Sequence, residues 1–286
     1  MTNSTQRPCL PELPESVYQL VDYGNGRKLE EFSGILVDRP SPVAVGTAVT
    51  ELWQRADGRF DLQENHCGSW VWERELDDWQ LPTPFGKMGL FPTSFGHVGV
   101  FAEQLPHWEW LTTLPLTGLK LLNLFAYTGG SSLAAAKAGA TVTHVDSAKN
   151  MVRRASHNAQ ISQLDDRPIR WIVEDALKFV KRESRRGNQY DGVILDPPTY
   201  GHGVSGKSIW KIEDQLPELI DGLRQIIPVC RLMLYTCHSK GFTPSFMKQN
   251  IKGFRGPGKA QSGPMFLQAQ DGRELANGNF VRWFQT

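Results

Sequence analysis

The chain has 286 residues and a net charge of +1, with 40% hydrophobic and 21% charged residues, a globular composition that neither requires nor excludes a nucleic-acid partner. It has no run of about 18 apolar residues and no N-terminal apolar core, so neither a membrane span nor an export signal is expected. We therefore expect a cytoplasmic location. Its four cysteines form no CxxC pair, which argues against a zinc site and against a disulfide framework.

The chain is long enough for one main domain with a smaller companion, and its two parts differ in pattern. Residues 1–15 are rich in proline and are expected to form a flexible N-terminus. Residues 16–100 contain short β-like runs separated by polar Gly, Asp and Asn turns, which predicts a small, mainly antiparallel β-rich accessory unit followed by a connector. The β-like runs are residues 17–21, 34–37 and 69–72.

Most of the nine tryptophans lie between Trp53 and Trp110. In a small β-rich unit, aromatic side chains of this kind supply the core packing. The same composition is also typical of a platform on which nucleic-acid bases stack. The sequence leaves both interpretations open.

Residues 101–286 are predicted to form a doubly wound, Rossmann-like α/β domain. The run 120–126 is almost continuously apolar, as expected of a parallel strand buried on both faces. Five β-α units are followed by two strands with no helix between them, which predicts a terminal antiparallel hairpin. The predicted strands are 120–126, 141–145, 169–173, 190–195, 231–236, 265–270 and 279–284, and the predicted helices are 131–138, 148–162, 176–186, 213–227 and 244–253.

In sheets of this type ligands bind beyond the carboxyl ends of the strands. The first predicted strand is followed by Gly129 and Gly130, which let the backbone approach a ligand closely, and Ser131 is positioned to cap the next helix. A strand–glycine–helix turn is also common as plain structure. The turn is not the GxGxxG of a dinucleotide site, so nicotinamide cofactors are disfavoured.

Acidic residues follow the second and third predicted strands. Asp146, with Ser147 behind it, comes about 20 residues after the glycine turn, where a carboxylate can accept both hydroxyls of a ribose. Asp175 lies where a carboxylate can bond an adenine amino group. Each of the two aspartates has the alternative role of a helix N-cap.

The fourth predicted strand ends in Asp196-Pro-Pro-Thr-Tyr200. Two prolines directly after a strand prevent a helix from starting and hold an extended, rigid turn. We expect this turn to fix Asp196 and Tyr200 at the rim of the reactive end of the site.

Together these motifs resemble the 23S rRNA large-subunit methyltransferase family. The resemblance is carried by Leu122-Asn-Leu-Phe-Ala-Tyr-Thr-Gly-Gly130, by Val145-Asp-Ser147 and by Asp196-Pro-Pro-Thr-Tyr200, which are similar to the family motifs LNxFxYTGG, VDxS and DPPxF/Y. Phe101-Ala-Glu-Gln104 resembles a further element that precedes the domain in the family. The resemblance is specific over residues 101–237 and looser before them.

The resemblance implies S-adenosyl-L-methionine as methyl donor and a class I methyltransferase sheet. It places residues 127–130 around the methionine part of the donor, Asp146 on the ribose, Asp175 at the adenine and Asp196 near the methyl group. The residues expected to bind the cofactor are Gln104, Phe125, Tyr127, Thr128, Gly129, Gly130, Asp146, Ser147, Asp175 and Asp196, and those expected to act in catalysis are Asp196, Tyr200 and Cys237.

The chain departs from the family in two places. Its N-terminal part does not match the RNA-binding module of the best-known members. Cys237 lies where the members that methylate carbon 5 of a pyrimidine keep a nucleophilic cysteine, whose thiolate adds to carbon 6 of the ring. Other relatives lack this cysteine, so Cys237 is interpreted either as a nucleophile, with His238 lowering its pKa, or as a buried core residue.

The sequence therefore predicts an S-adenosylmethionine-dependent methyltransferase that acts on a base of RNA, with ribosomal RNA as the expected partner and no membrane partner. Positioning supplies much of the rate in such a reaction, because the methyl donor is already activated. The alternatives are a methyltransferase for a protein or small molecule, an NAD-dependent oxidoreductase with the same β-α architecture, and a cofactor-binding protein without turnover.

Overall fold

The computed structural model describes residues 17–63, 68–204, 209–254, 256 and 260–285. The segment 1–15, expected to be flexible, lies outside these residues. Within the described ranges, no helix has the length and apolarity that a bilayer crossing requires.

The N-terminal part forms a five-stranded sheet in the order β1-β2-β3-β4-β5, antiparallel except for the β3–β4 pair. The prediction of a small, mainly antiparallel β unit is confirmed, and the three β-like runs correspond to its first, third and fifth strands. The strands are β1 (Tyr18–Gly24), β2 (Arg27–Phe32), β3 (Ile35–Pro40), β4 (Gly58–Leu62) and β5 (Gly68–Trp72).

The tryptophans of this part pack on one another. The rings of Trp70 and Trp72 stack with centroids 5.1 Å apart, and Trp72 meets the edge of Trp79 at 6.0 Å. Trp79 is buried, and its indole N–H donates to the carbonyl of Phe32 over 2.9 Å. These contacts favour the core interpretation, because stacked rings that face each other offer no free platform for a base.

The second part contains a seven-stranded sheet in the order β10-β9-β8-β11-β14-β16-β15. The first five of these strands are parallel, and β16 runs antiparallel to both its neighbours. The predicted doubly wound sheet with a terminal hairpin is therefore confirmed. The strands are β8 (Lys120–Leu124), β9 (Thr141–Asp146), β10 (Ile169–Val173), β11 (Gly192–Leu195), β14 (Leu232–Cys237), β15 (Gln261–Gln268) and β16 (Glu274–Phe284).

The described residues include six α-helices: α1 precedes β8, and the other five lie between strands of this sheet and match the predicted helices. Helix α1 was not predicted, and α2 begins at Gly130, one residue before the predicted start. Its N-cap is Gly129, so the expectation that Ser131 caps this helix is wrong. The helices are α1 (Leu105–Thr112), α2 (Gly130–Lys137), α3 (Lys149–Ile161), α4 (Ala176–Arg186), α5 (Ile212–Ile226) and α6 (Pro244–Asn250).

The connector between the two parts is a hairpin of β6 (Gln80–Thr83) and β7 (Gly86–Gly89) that packs on α3. The backbone N–H of Gly89 donates to Asn158 over 3.0 Å. The hydroxyl of Ser162 accepts from the N–H of Lys87 and donates to its carbonyl. The connector is thus fixed to the α/β part through backbone groups of β7.

One apolar core continues across residue 100. It joins Phe32 and Leu81 of the N-terminal part to Leu121 and Leu133 of the α/β part, all with no exposed surface. A second cluster fills the other face of the large sheet, between β11, β14, α4 and α5. The two parts are separate sheets that share a core.

Candidate active site

Two adjoining cavities lie at the carboxyl edge of the large sheet. The larger has a volume of about 590 Å³, within the 300–1,000 Å³ typical of small-molecule sites, and the smaller about 50 Å³. All ten residues predicted to bind the cofactor line one cavity or the other. Those on the larger are Phe125, Tyr127, Asp146, Ser147, Asp175 and Asp196, and those on the smaller are Gln104, Phe125, Tyr127, Thr128, Gly129, Gly130 and Asp196.

The turn after β8 has an unusual backbone. Phe125 and Tyr127 have φ angles of +56° and +49°, in the left-handed region that residues with a side chain seldom adopt. The turn is held there because the N–H of Tyr127 donates to Asp146 over 2.8 Å. Burial raises the pKa of Tyr127 to about 12, so its phenol is neutral at pH 7. Strain of this kind is concentrated at ligand sites, where the surrounding structure enforces it.

The glycine pair is required first by packing. A Cβ on Gly129 would lie 2.9 Å from that of Ala155 on α3, and a Cβ on Gly130 would lie 2.1 Å from the ring of Trp108. The neighbouring Thr128 is buried and donates to the carbonyl of Gly99 over 2.7 Å. These residues therefore line the smaller cavity while they also lock the turn against α1, α3 and the connector.

Asp146 lies at the end of β9 and does not cap the next helix, whose N-cap is Ala148. Its two carboxylate oxygens accept from the N–H groups of Tyr127 and Ala148, each over 2.8 Å. Burial raises the pKa of Asp146, and the two backbone hydrogen bonds oppose that rise. The hydroxyl of Ser147 donates to the carbonyl of His202 over 2.9 Å, so this side chain ties the opposite wall of the cavity to β9.

Asp175 caps a helix and also lies at the cavity. It is the N-cap of α4, where its carboxylate accepts from the N–H of Lys178 over 3.1 Å, and it also lines the larger cavity. The adjacent Glu174 lines the cavity as well, but its carboxylate is paired with Arg182.

Asp196 is the acidic residue shared by both cavities. One carboxylate oxygen, Oδ2, accepts from the side-chain amide of Gln104 over 3.2 Å, and the same amide also donates to Thr236. The other oxygen, Oδ1, is buried and has no hydrogen-bond partner among the described residues. A buried carboxylate oxygen without a donor is costly, so this atom is positioned to accept a hydrogen bond from a ligand.

A hairpin of β12 (Tyr200–His202) and β13 (Ile209–Lys211) forms one wall of the larger cavity. The indole N–H of Trp210 donates to the carbonyl of Pro198 over 2.7 Å, and its ring lies 4.8 Å from that of Phe125. Tyr200 is half exposed on this hairpin and lines neither cavity.

Cys237 is fully buried at the end of β14 and also lines neither cavity. Burial raises the pKa of its thiol to about 11, so little thiolate is present at neutral pH. This environment is that of a core cysteine, and the nearby carboxylate of Asp196 raises the pKa of the thiol further, the opposite of what activates a nucleophilic cysteine.

His238 was not among the residues predicted for the site, yet its side chain lines the larger cavity. The Nε2 atom lies 3.8 Å from Oδ1 of Asp196, and Nδ1 lies 3.6 Å from Oε1 of Glu103. The alternation of a strand gave a usable signal: if Cys237 faces the core, the next side chain faces the other way.

The cavity suits a ligand with both polar and apolar parts. Its acidic acceptors are on the β9, β10 and β11 ends, and Phe125 with Trp210 supplies an apolar wall. Together with the partnerless oxygen of Asp196 this donor and acceptor set fits S-adenosylmethionine, which has a ribose, an adenine and a positively charged sulfur.

Comparison with known proteins agrees with this fit. Residues 53–230, more than half of the chain, match the model of a family described as S-adenosylmethionine-dependent methyltransferase. The crystal structure of the SAM-dependent methyltransferase from Agrobacterium tumefaciens is 37% identical, covers 96% of this chain and 92% of that one, and superposes with a TM-score of 0.86.

Two curated relatives are named as ribosomal RNA methyltransferases. The ribosomal RNA large subunit methyltransferase K/L of Hahella chejuensis is 30% identical over 127 residues, which are 44% of this chain and 17% of that protein. The ribosomal RNA large subunit methyltransferase I of Aeromonas hydrophila is 34% identical over 84 residues, 29% of this chain and 21% of that protein. The matched region spans about a fifth of each relative's length.

The region that matches the family model extends across residue 100, the predicted domain boundary. The shared core extends across the same residue. The strand order, the cavity at the carboxyl edge and the match to the Agrobacterium protein leave no support for the oxidoreductase alternative. The chain belongs to the family of S-adenosylmethionine-dependent methyltransferases.

Proposed function

We propose that this protein transfers the methyl group of S-adenosylmethionine to a base of ribosomal RNA. The observation that carries the proposal is the buried, partnerless Oδ1 of Asp196, which lies where both cavities meet and can accept an N–H of a base. Two relatives named as ribosomal RNA methyltransferases support RNA as the substrate class. A ribosomal RNA substrate would place the enzyme in the cytoplasm.

When bound, S-adenosylmethionine supplies a methyl group that its sulfonium has already activated. The remaining task of the protein is to bind and orient. Asp146 is proposed to accept the ribose hydroxyls, Asp175 the adenine amino group, and the wall of Phe125 and Trp210 to cover the apolar face of the adenine. The backbone around Tyr127 is proposed to hold the methionine part.

Asp196 is proposed to orient the target base. Gln104 fixes one carboxylate oxygen, so the other points into the cavity and can select a base that presents an N–H there. The rigid Pro197-Pro198 turn prevents the carboxylate from moving away. Tyr200, exposed on the adjacent hairpin, is proposed to contact the RNA at the rim rather than inside the cavity.

The direct test is mass spectrometry of nucleosides from ribosomal RNA of a deletion strain and its parent. The proposal predicts one methylated nucleoside that is absent from the deletion strain and returns when the gene is restored. If ribosomal RNA from the two strains is identical and the purified enzyme labels a protein or small-molecule fraction from tritiated S-adenosylmethionine, the RNA assignment is wrong.

Asp146→Ala should weaken the binding of S-adenosylhomocysteine by about 1–3 kcal/mol, the scale of a lost charge-assisted hydrogen bond. The measurement is calorimetric titration, with Asp165→Ala as the matched control, since Asp165 is an exposed residue after α3. Asp146→Asn keeps one acceptor oxygen and should lose less. An unchanged affinity in Asp146→Ala, or binding of NAD with no response to S-adenosylhomocysteine, would contradict the assigned role.

Cys237→Ala should retain methyl transfer close to the wild-type rate, because the buried thiol lies outside both cavities. The substitution should cost about 1 kcal/mol of unfolding free energy. A methyl-transfer assay on ribosomal RNA and a denaturant titration measure the two effects. Complete loss of turnover with normal cofactor binding, together with covalent trapping of the wild type on a 5-fluoropyrimidine RNA, would instead establish the nucleophile and carbon-5 chemistry.

A further inference from the structure

We propose that His238 is the base that takes the proton from the target nitrogen, with Glu103 orienting its ring. This inference rests on the proposed function and deepens it, since it assigns the substrate as a base with an amino group. It begins from the position of the imidazole, which spans two carboxylates. Its Nδ1 is 3.6 Å from Glu103 and its Nε2 is 3.8 Å from Asp196.

Glu103 is built into the protein as an anchor. It lies in the short 3-10 helix Ala102–Gln104 and is buried, with 3% of its surface exposed. One oxygen, Oε1, accepts from the side-chain amide of Asn277 on β16 over 2.7 Å. The other, Oε2, is buried without a hydrogen-bond partner among the described residues. A carboxylate held in this way favours the imidazole tautomer with its proton on Nδ1, which leaves the lone pair of Nε2 facing the cavity.

An amino nitrogen beside Nε2 of His238 and Oδ1 of Asp196 can bridge the two atoms, which are 3.8 Å apart. A nitrogen about 2.9 Å from each atom can donate one hydrogen to Oδ1 of Asp196 and the other to Nε2 of His238. Among the described residues, Oδ1 of Asp196 has no hydrogen-bond partner, and Nε2 of His238 lies 3.8 Å from it, too far for a direct hydrogen bond. The pair therefore recognises an –NH₂ group and excludes a carbonyl at the same place.

These residues account for every proton and electron pair in the transfer. The lone pair of the amino nitrogen forms the new bond to the methyl carbon, and the electron pair of the broken methyl–sulfur bond stays on sulfur. The nitrogen then carries a positive charge, and its N–H proton passes to Nε2 of His238. The electrons of that N–H bond return to the nitrogen as a lone pair, and the imidazolium formed lies between two carboxylates that stabilise it.

The surroundings of the imidazole suit this role. Among the described residues, the carboxylates of Glu103 and Asp196 lie within 4 Å of its ring nitrogens, from the 3-10 helix and from the turn after β11. Phe101 contributes an uncharged ring 6.2 Å away, and a Cβ on Gly278 of β16 would lie only 2.9 Å from Nδ1. About a third of the side chain is exposed, so the proton can leave to solvent after the reaction.

The test compares His238→Asn with His157→Asn, a matched control on α3 outside the cavities. The assay is transfer of tritiated methyl to ribosomal RNA from a strain that lacks the enzyme. We expect His238→Asn to lose about 10²–10⁴ in kcat, the range of a general base, while the control keeps the wild-type rate. Calorimetry should give both variants the wild-type affinity for S-adenosylhomocysteine, a readout that does not depend on turnover.

Chemical rescue separates a base from a merely structural residue. Free imidazole should raise the rate of His238→Ala in proportion to its concentration and leave Glu103→Gln without rescue. Equal rates for wild type and His238→Asn would overturn the inference, as would a loss of rate matched by a loss of S-adenosylhomocysteine affinity. Failure of the wild type to methylate any RNA would overturn the proposed function itself, and this inference with it.

Discussion

Asp196→Asn should lower kcat by about 10²–10³-fold, the cost of removing one preorganised electrostatic group from a reacting centre. The variant keeps the shape of the side chain but removes its charge, and its amide group would face the amide of Gln104, which donates to Oδ2 in the native protein. Affinity for S-adenosylhomocysteine should change by less than about threefold, because the proposed ribose and adenine contacts are made by Asp146 and Asp175. Single-turnover kinetics on ribosomal RNA measure the first effect and calorimetry the second.

The control for this experiment is Asp165→Asn, the same substitution at an exposed position. It should leave both quantities unchanged. If Asp196→Asn transfers methyl groups at the wild-type rate, the partnerless oxygen of Asp196 has no part in orienting the base, and the proposed function loses its main support.

Glu30→Gln should destabilise the protein by about 3–5 kcal/mol, the cost of leaving a buried charge without its partner. Glu30 has no exposed surface and lies in β2, where it pairs with Arg39 over 2.5 Å and with Lys28 over 3.1 Å. The phenol of Tyr18 also donates to it over 3.0 Å. Removal of the carboxylate leaves two buried cations facing each other, and urea unfolding measures the loss against Glu51→Gln, an exposed control.

The same carboxylate gives the fold a sensitivity to acid. Burial opposes the ionisation of Glu30, but the charges of Arg39 and Lys28 outweigh it and lower its pKa from 4.5 to about 2. Because the folded pKa is the lower one, the stabilisation is complete above about pH 4.5 and is lost as the pH falls from there towards 2. The difference in unfolding free energy between wild type and Glu30→Gln should therefore shrink in this window, and a constant difference would contradict the ion pair.

The sheet and most of the site could be predicted because their signals are local. The buried parallel strand β8 is an almost continuous apolar run. Polar residues of the site follow directly after the ends of strands β8 to β11 in the sequence. Strand β2 escaped prediction because its sequence, with Lys28, Glu30 and Glu31, looks like a solvent-exposed segment. Its charges are buried: Lys28 and Glu30 pair within the strand, and Arg39, which also pairs with Glu30, lies on β3, so no local pattern reveals it.

The position of His238 escaped for a similar reason. Its neighbours in the site, Glu103 and Asp196, are 135 and 42 positions away in the sequence, and only the completed sheet brings the three together. The neighbouring Cys237 was predicted for the site instead, because it matches the position of the nucleophilic cysteine in the carbon-5 methyltransferases that the sequence resembles. Which of two adjacent strand residues faces the site depends on which of them is buried in the core. At the end of a strand, that burial depends on the elements that pack over it.

The shared apolar core limits how this enzyme can be recombined with its relatives. Phe32 and Leu133 belong to one apolar cluster. A chimaeric protein joined at residue 100 would therefore pack two core faces that come from different parent proteins. Mismatched volumes in a closely packed core cost stability or force it to rearrange. A chimaera of two family members should fold only when the N-terminal sheet and helices α1 and α2 come from the same parent. Over evolutionary time, the two sheets have to change as a pair.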